Sequence, residues 1–569
     1  MATLRGRGLA LAFLASLLLS VHLAMASSDD FLQCVRDKIP GELVYTQCSS
    51  SFSGVLVNYI KNAKFVNTTA KPLCIVTPTD ASHVQAAIRC GRGHGVRLRV
   101  RSGGHDYEGL SYRSARQEVF GLLDLAALRA VSVDEAASTA WVESGATIGE
   151  LYYAVAKNNP RLAFPSGECP TIGVGGHFSG GGIGMMMRKY GLSIDRVVDA
   201  KLVNANGELL DRAGMGEDLF WAIRGGGGGN FGVVLSWKVQ LVPVPATVTV
   251  FNIAKTLEQG AVDILTRWQD VAPALPSELT ITVMVTGQQA VFRALYLGEC
   301  GSLASTMRDR FPELNMTSAD CQPMTWLQSA ALSFFSFTNS KPVEDVLLPR
   351  PASPSTFSKG KSDYVRQAIP KAVWKEVYAS WFTMKGAGVI VLEPHGGYMC
   401  GVPEDATPYP HRRGVLYVIQ YIAYWMSADG EPAATSWLDG FYGFMAHHVT
   451  KHPREAYVNF RDLDIGQNAL EEEDGLGAAE NARFWGQRYF LGNYEKLAKV
   501  KAAVDPTNFF RNEQSIPPMR NQPRDRAGLH AKARHPSDHQ QTKSFMVFDG
   551  LLCCVKNTAA VSCIGLDPW

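Results

Sequence analysis

The chain has 569 residues, of which 46% are hydrophobic and 19% charged, with a formal net charge of +2. That length supports two or more domains and a large core. The balanced charge leaves no electrostatic case for nucleic acid or for an acidic partner.

Arg5 and Arg7 precede an apolar run from Leu9 to Val21, and Ala24-Met25-Ala26 follows. Residues 1–26 read as a secretory signal peptide cut after Ala26. The alternative is a membrane anchor, which the shortness of the run disfavours. No later segment is expected to enter a membrane. In an oxidising compartment the 11 cysteines read as disulfide formers rather than zinc ligands or redox thiols. Spacing alone does not fix the partners. The expected pairs are Cys34 with Cys90, Cys48 with Cys74, and Cys300 with Cys321. Two sequons, starting at Asn67 and Asn315, suit a secreted surface.

From 27 to 242, short β-branched runs alternate with helical patches. Strands are expected at Leu73–Pro78, Arg97–Arg101, Val119–Leu123 and Val233–Val242, and helices at Ser82–Cys90 and Ile148–Lys157. Prolines in the Leu241–Pro245 stretch oppose a central strand and mark a domain exit. A second domain is expected over 243–455, with strands at Leu279–Val285 and Val291–Leu297 and a helix at Val262–Val271. A further stretch follows over 456–520. Phe484–Val504 reads as one helix stopped at Asp505-Pro506. Residues 521–569 are polar and basic, then LLCCV, and read as a disordered or atypical tail.

Two glycine-dense loops carry one reactive side chain each. RSGGHDYEGLSY (101–112) holds His105, and PSGECPTIGVGGHFSGGGIG (165–184) holds Cys169. Glycines permit positive φ and close backbone approach to a ligand. Their N–H groups form concavities that suit a pyrophosphate. Taken alone, His105 reads first as a satisfied loop histidine and Cys169 as a disulfide partner. A third stretch, RGGGGGNFGVV (224–234), contains Gly227, Gly229 and Gly232 in a formal dinucleotide spacing. A helix should follow such a motif. VVLSWKVQLV follows instead, so the Rossmann reading is rejected.

These two loops, with WGQRYFLGNYEKLAKVKAAVDPTNFFRNEQSIPP (485–518), resemble the berberine bridge enzyme-like FAD-linked oxidoreductases of plants, and among them the grass pollen group 4 allergens. The resemblance runs from about Phe31 to Pro518. It implies an α+β fold with a vanillyl-alcohol-oxidase-type (PCMH-type) FAD-binding domain built from 27–242 and completed by 456–520, and a substrate domain bearing an antiparallel sheet inserted at 243–455. It also implies FAD held by two covalent bonds, from His105 to the 8α-methyl carbon and from Cys169 to ring carbon C6. A neutral imidazole and a thiolate would be the nucleophiles. Arg101, Ser102, Gly103 and Gly104 would lie beside the phosphates. Gly173, Gly175, Gly176 and His177 match further FAD contacts, and Tyr107 matches a substrate-pocket tyrosine.

The chain departs from relatives where a base is needed. LYVIQY (416–421) and AYVNFRD (456–462) place Val418 and Phe460 where relatives have titratable or polar groups, and Ile183 replaces a frequent aromatic residue. Tyr107 and Gln420 are the expected catalytic residues, with Tyr421, His395 and Glu393 as further polar candidates. Gln420 can only hydrogen-bond, and Tyr107 needs a cationic neighbour to act near neutral pH. Ile172 matches a gate position near flavin C4a, which favours a dehydrogenase over an oxidase. The expected protein is a secreted monomer oxidising a carbohydrate or, second, an aromatic alcohol. The alternative is a flavin-holding member with weak turnover.

Overall fold

The computed structural model describes residues 27–519, except 68–69, 117, 333–340, 351–355 and 469–474. The expected leader and the 521–569 tail lie outside the described residues.

A four-stranded sheet comes first, built from β1 (Val44–Thr46), β2 (Cys74–Val76), β3 (Arg97–Arg101) and β4 (Phe120–Asp124) in the order β1-β2-β4-β3. β4 runs parallel to both β2 and β3. The crossover between β2 and β3 is the helix Ala81–Gly93, opened by the Asp80 carboxylate accepting from the Ser82 N–H at 2.7 Å. Next come β5 (Val131–Asp134), β6 (Thr139–Glu143), β7 (Leu162–Ala163), β8 (Val197–Val203), β9 (Leu209–Leu210), β10 (Val233–Gln240) and β11 (Val242–Pro243). Five of them form an antiparallel sheet in the order β5-β6-β10-β8-β9, and β7 pairs with β11. The helix Ile148–Asn158 starts at a capping box in which Thr147 and Glu150 exchange hydrogen bonds. β10 follows the 224–232 glycine run directly, in keeping with the strand read there.

Residues 248–425 supply β12 (Val248–Thr256), β13 (Leu279–Thr286), β14 (Gln289–Tyr296), β15 (Gln322–Met324), β16 (Phe357–Val365), β17 (Val389–Pro394) and β18 (Tyr417–Trp425). They make one antiparallel sheet of seven strands, ordered β15-β12-β14-β13-β17-β18-β16. Its two faces are sorted by the two-residue period of a strand. In β18, Tyr417, Ile419, Tyr421 and Ala423 enter a core shared with Trp268, Trp374 and Trp437 of covering helices. Val418, Gln420, Ile422 and Tyr424 take the opposite face.

Three expectations are corrected. Phe484–Val504 is two helices, Gly475–Phe490 and Asn493–Val504, because Leu491 turns left-handed at φ 46° and Gly492 caps the second. Cys34–Cys90 and Cys300–Cys321 are bonded, but Cys48 and Cys74 are free. Cys74 is buried in the core on β2, while Cys48 is exposed in the turn after β1, so the two thiols sit in different environments. Arg101 does not present its side chain to a phosphate site. Its guanidinium is fully buried and donates to Asp124 at 2.7 Å, directly across the β3–β4 register, and to the Val55 carbonyl at 2.8 Å.

Removing one partner of a buried pair leaves an uncompensated charge, at a cost of about 3–5 kcal/mol. Asp124→Ala is therefore expected to lower the thermal midpoint markedly, whereas Arg212→Ala, which breaks an exposed pair with Glu217, should leave it nearly unchanged. Equal shifts in the two variants would contradict this reading of Arg101.

Candidate active site

The site begins with glycines that leave no room for a side chain. A Cβ on Gly103 would stand 2.2 Å from the Gly173 nitrogen, and one on Gly173 would stand 2.2 Å from the Gly103 nitrogen. Gly104 adopts φ +70°, and a Cβ there would lie 1.8 Å from the Tyr59 carbonyl oxygen. The loop after β3 and the loop after β7 therefore meet backbone to backbone. Ser102 Oγ donates to the Ser144 carbonyl at 2.5 Å, and His105 Nε2 shares a hydrogen bond with Thr171 Oγ1 at 2.8 Å. That second bond ties the histidine loop to the cysteine loop two residues after Cys169.

Between the loops and the seven-stranded sheet lies a cavity of about 330 Å³. His105 and Cys169 both line it, as do Ser102, Gly103 and Gly104 from the first loop. Gly173, Gly175, Gly176 and His177 line it from the second. The histidines are uncharged here. Burial, then the charge of Lys61, pushes His105 down to about 3, and burial pushes His177 down to about 4. His177 Nε2 accepts from the Gly167 N–H at 3.0 Å. The neutral imidazole expected of His105 is thus favoured. The thiolate expected of Cys169 is not, because burial and the neighbouring Glu168 charge push the thiol up to about 11.

At the sheet end, Tyr107 and Gln420 line the cavity together, with the Gln420 amide donating to the Tyr107 hydroxyl. The Tyr107 ring lies over Gly360 of β16, where a Cβ would come within 2.6 Å of it, and stacks on Phe460 at a centroid distance of 5.7 Å. Burial, with Tyr424, Cys169 and Glu393 around it, pushes Tyr107 well above its usual value, so the cationic neighbour it would need is not supplied. Glu393, Ile172 and Ile183 also line the cavity. Tyr421 and His395 do not. Tyr421 points into the opposite core, and His395 is fully buried against the Tyr409 hydroxyl at 3.0 Å.

The lining fits a long ligand with polar groups at one end. Ser111 Oγ and Ser144 Oγ face the cavity region buried and without a partner. At Gly176 and Gly229, both lining residues, an added Cβ would find no protein atom within 4 Å. Sequence reasoning missed part of this wall. Gly228, Gly229 and Gly232 belong to it, though the run was weighed only as a Rossmann fingerprint. So do Asn512 and Arg99, whose guanidinium pairs with the buried Glu513 at 3.0 Å. The signal available was the alternation RLRVR, which puts Arg99 on the same strand face as Arg101.

Residues 72–212 match the family model described as FAD binding domain, and residues 456–517 match the model described as Berberine and berberine like. The chain is 51% identical to berberine bridge enzyme-like Cyn d 4 of Cynodon dactylon, over 86% of this chain and 93% of that relative. The chain belongs to the berberine bridge enzyme-like family of FAD-linked oxidoreductases. Tetrahydroberberine oxidase of Berberis wilsoniae is 45% identical, over 87% of this chain and 96% of its own length. The solved structure of wild-type Phl p 4.0202, described as a glucose dehydrogenase, is 50% identical, with a TM-score of 0.84 over 86% of this chain and all of that one. A variant of Phl p 4 with one isoleucine changed to valine is described as a glucose oxidase. The cavity residues from Leu98 to Ile183 fall within the stretch matched by the FAD binding domain model. Among the described residues, no helix is long and apolar enough to cross a membrane.

Gly173→Ala should force the two loops apart by more than an ångström. The purified variant is expected to carry far less flavin per chain than the parent, read as the visible flavin absorbance against protein concentration. Gly41→Ala, at a position with open space around it, is the matched control and should keep the full complement.

Proposed function

We propose that the protein is a secreted FAD-dependent dehydrogenase that oxidises a carbohydrate at its anomeric carbon, with the flavin attached through His105 and Cys169. The observation that carries this reading is the convergence of both side chains on one cavity that Glu393 of β17 and Gln420 and Tyr424 of β18 also line. Bound FAD would supply the acceptor for the substrate hydride. His105 and Cys169 fix the ring from two loops, and Arg99, Ser102, Ser111 and Ser144 face the cofactor's polar end. Tyr107 and Gln420 orient the substrate hydroxyl by hydrogen bonds. An aromatic alcohol is the second substrate class.

Ile172 is read as the gate on dioxygen access. It lines the cavity three residues after Cys169. One methylene decides access in a packed site. The glucose dehydrogenase and its isoleucine-to-valine oxidase variant support the same assignment by analogy. Secretion rests on the leader-like 1–26, the two disulfides and the exposure of both sequon asparagines. The protein is taken to act as a monomer on a small molecule, without nucleic acid or membrane partners.

Under anaerobic conditions, glucose or a related sugar is expected to bleach the flavin absorbance. A protein that merely holds flavin would stay yellow with every sugar and aromatic alcohol tried. In air, the parent should release little hydrogen peroxide on turnover, and Ile172→Val should raise that release by tenfold or more.

A further inference from the structure

The reaction needs a base, and the residues expected to supply one do not. Val418 and Phe460 cannot accept a proton, Gln420 has no basic form, and Tyr107 is held neutral. The β17–β18 register offers a replacement. Glu393 of β17 stands directly opposite Val418 of β18, and Val391 stands opposite Gln420. Residues opposite one another in an antiparallel pair share a sheet face, so the carboxylate projects beside the very position that valine leaves apolar.

Its surroundings are those of a functional carboxylate rather than a structural one. Glu393 lines the cavity, and its Oε2 is buried with no hydrogen-bond partner. A buried polar atom left unsatisfied is costly unless a ligand completes it. The other buried carboxylates are differently placed. Asp363 is engaged by Arg454, Glu455 by Arg366 and His411, and Glu513 by Arg99.

We propose that Glu393 is the catalytic base, accepting the proton of the substrate hydroxyl as the hydride leaves the same carbon. This rests on the dehydrogenase reading above. In the step, the C–H pair of electrons goes with its hydrogen to the flavin, the O–H bond breaks toward a Glu393 oxygen, and a C=O bond forms. A CH–OH group and a carboxylate would become a carbonyl and a carboxylic acid, with the hydride, one proton and two electrons, passing to the acceptor that bound FAD would supply. For a sugar oxidised at its anomeric carbon the product is a lactone.

Burial, and then the charge of Glu168, pushes Glu393 up to about 8. Glu168, from the loop before Cys169, is itself paired with Arg293 of β14. Tyr107, Tyr409 and Tyr457 are the other titratable groups that bear on Glu393, and all three are held above their usual values by burial. Below about 8 the carboxyl is protonated and cannot accept, and above it the carboxylate is ready. The rate of flavin reduction should therefore rise with pH through one ionisation in that region and then level.

The test is Glu393→Gln in the flavin-loaded protein, followed anaerobically with glucose by stopped-flow absorbance. The variant should keep its yellow spectrum, reduce roughly 10²–10⁴-fold more slowly, and lose the pH step. Glu393→Asp should keep the step at an intermediate rate. Independently of turnover, the infrared difference titration of parent minus variant should show one carboxyl band that disappears as pH rises through that step. Reduction of Glu393→Gln at the parental rate, persistence of its pH step, or absence of that carboxyl band would each overturn the assignment. If the parent is not bleached by any sugar or aromatic alcohol, the dehydrogenase reading fails and the base falls with it. If both proteins bleach alike, only the base falls.

Discussion

Everything at the centre of this molecule depends on two backbones touching. Gly103 and Gly173 lie so close that a methyl group on either would sit inside the other's amide. That contact joins a loop leaving a parallel strand to a loop feeding a short helix, Val174–Gly180. It sets His105 and Cys169 on the wall of the same cavity, though 64 positions separate them in sequence. The Thr171–His105 hydrogen bond then fixes the imidazole, and the Thr147–Gly173 bridge holds the second loop against the helix that Thr147 caps.

The second constraint is the period of a β-strand. The seven-stranded sheet commits alternate residues of β17 and β18 to opposite environments. Tyr421 matches the spacing of a pocket residue no worse than Gln420 does, yet it is turned into an aromatic core because it is one position removed. The same alternation places Val391, Glu393, Gln420 and Ile422 on the cavity side. The polarity of the substrate end is thus decided by a few odd-or-even positions.

Much of this was legible in the sequence for physical reasons. Alternating β-branched runs gave β3, β10 and β14 nearly to the residue, and the helical patch Ile148–Lys157 matches the helix Ile148–Asn158. The two loops were recognisable because close approach demands glycine and leaves a dense signature. What escaped was whatever depends on long-range pairing. Arg101 looked like a phosphate ligand until Asp124, across the sheet, was seen to hold it. The free Cys48 and Cys74 are close in chain position but differ in burial. The break at Leu491 was signalled by the following Gly492-Asn493 but was overridden by the helical pattern on either side. The contribution of Gly228 and Gly229 to the cavity was hidden behind a motif rejected, correctly, for another fold. The states of His105 and Cys169 follow from burial, which local sequence does not report.

The account predicts a flavin that belongs to the polypeptide. Mass spectrometry of the acid-unfolded, gel-filtered holoprotein, followed by peptide mapping, asks this directly. The account predicts one FAD mass retained per chain and linked to the peptides containing His105 and Cys169, with Cys169 unreactive to alkylation. Release of all the colour on unfolding, or a Cys169 that alkylates as a free thiol, would contradict it.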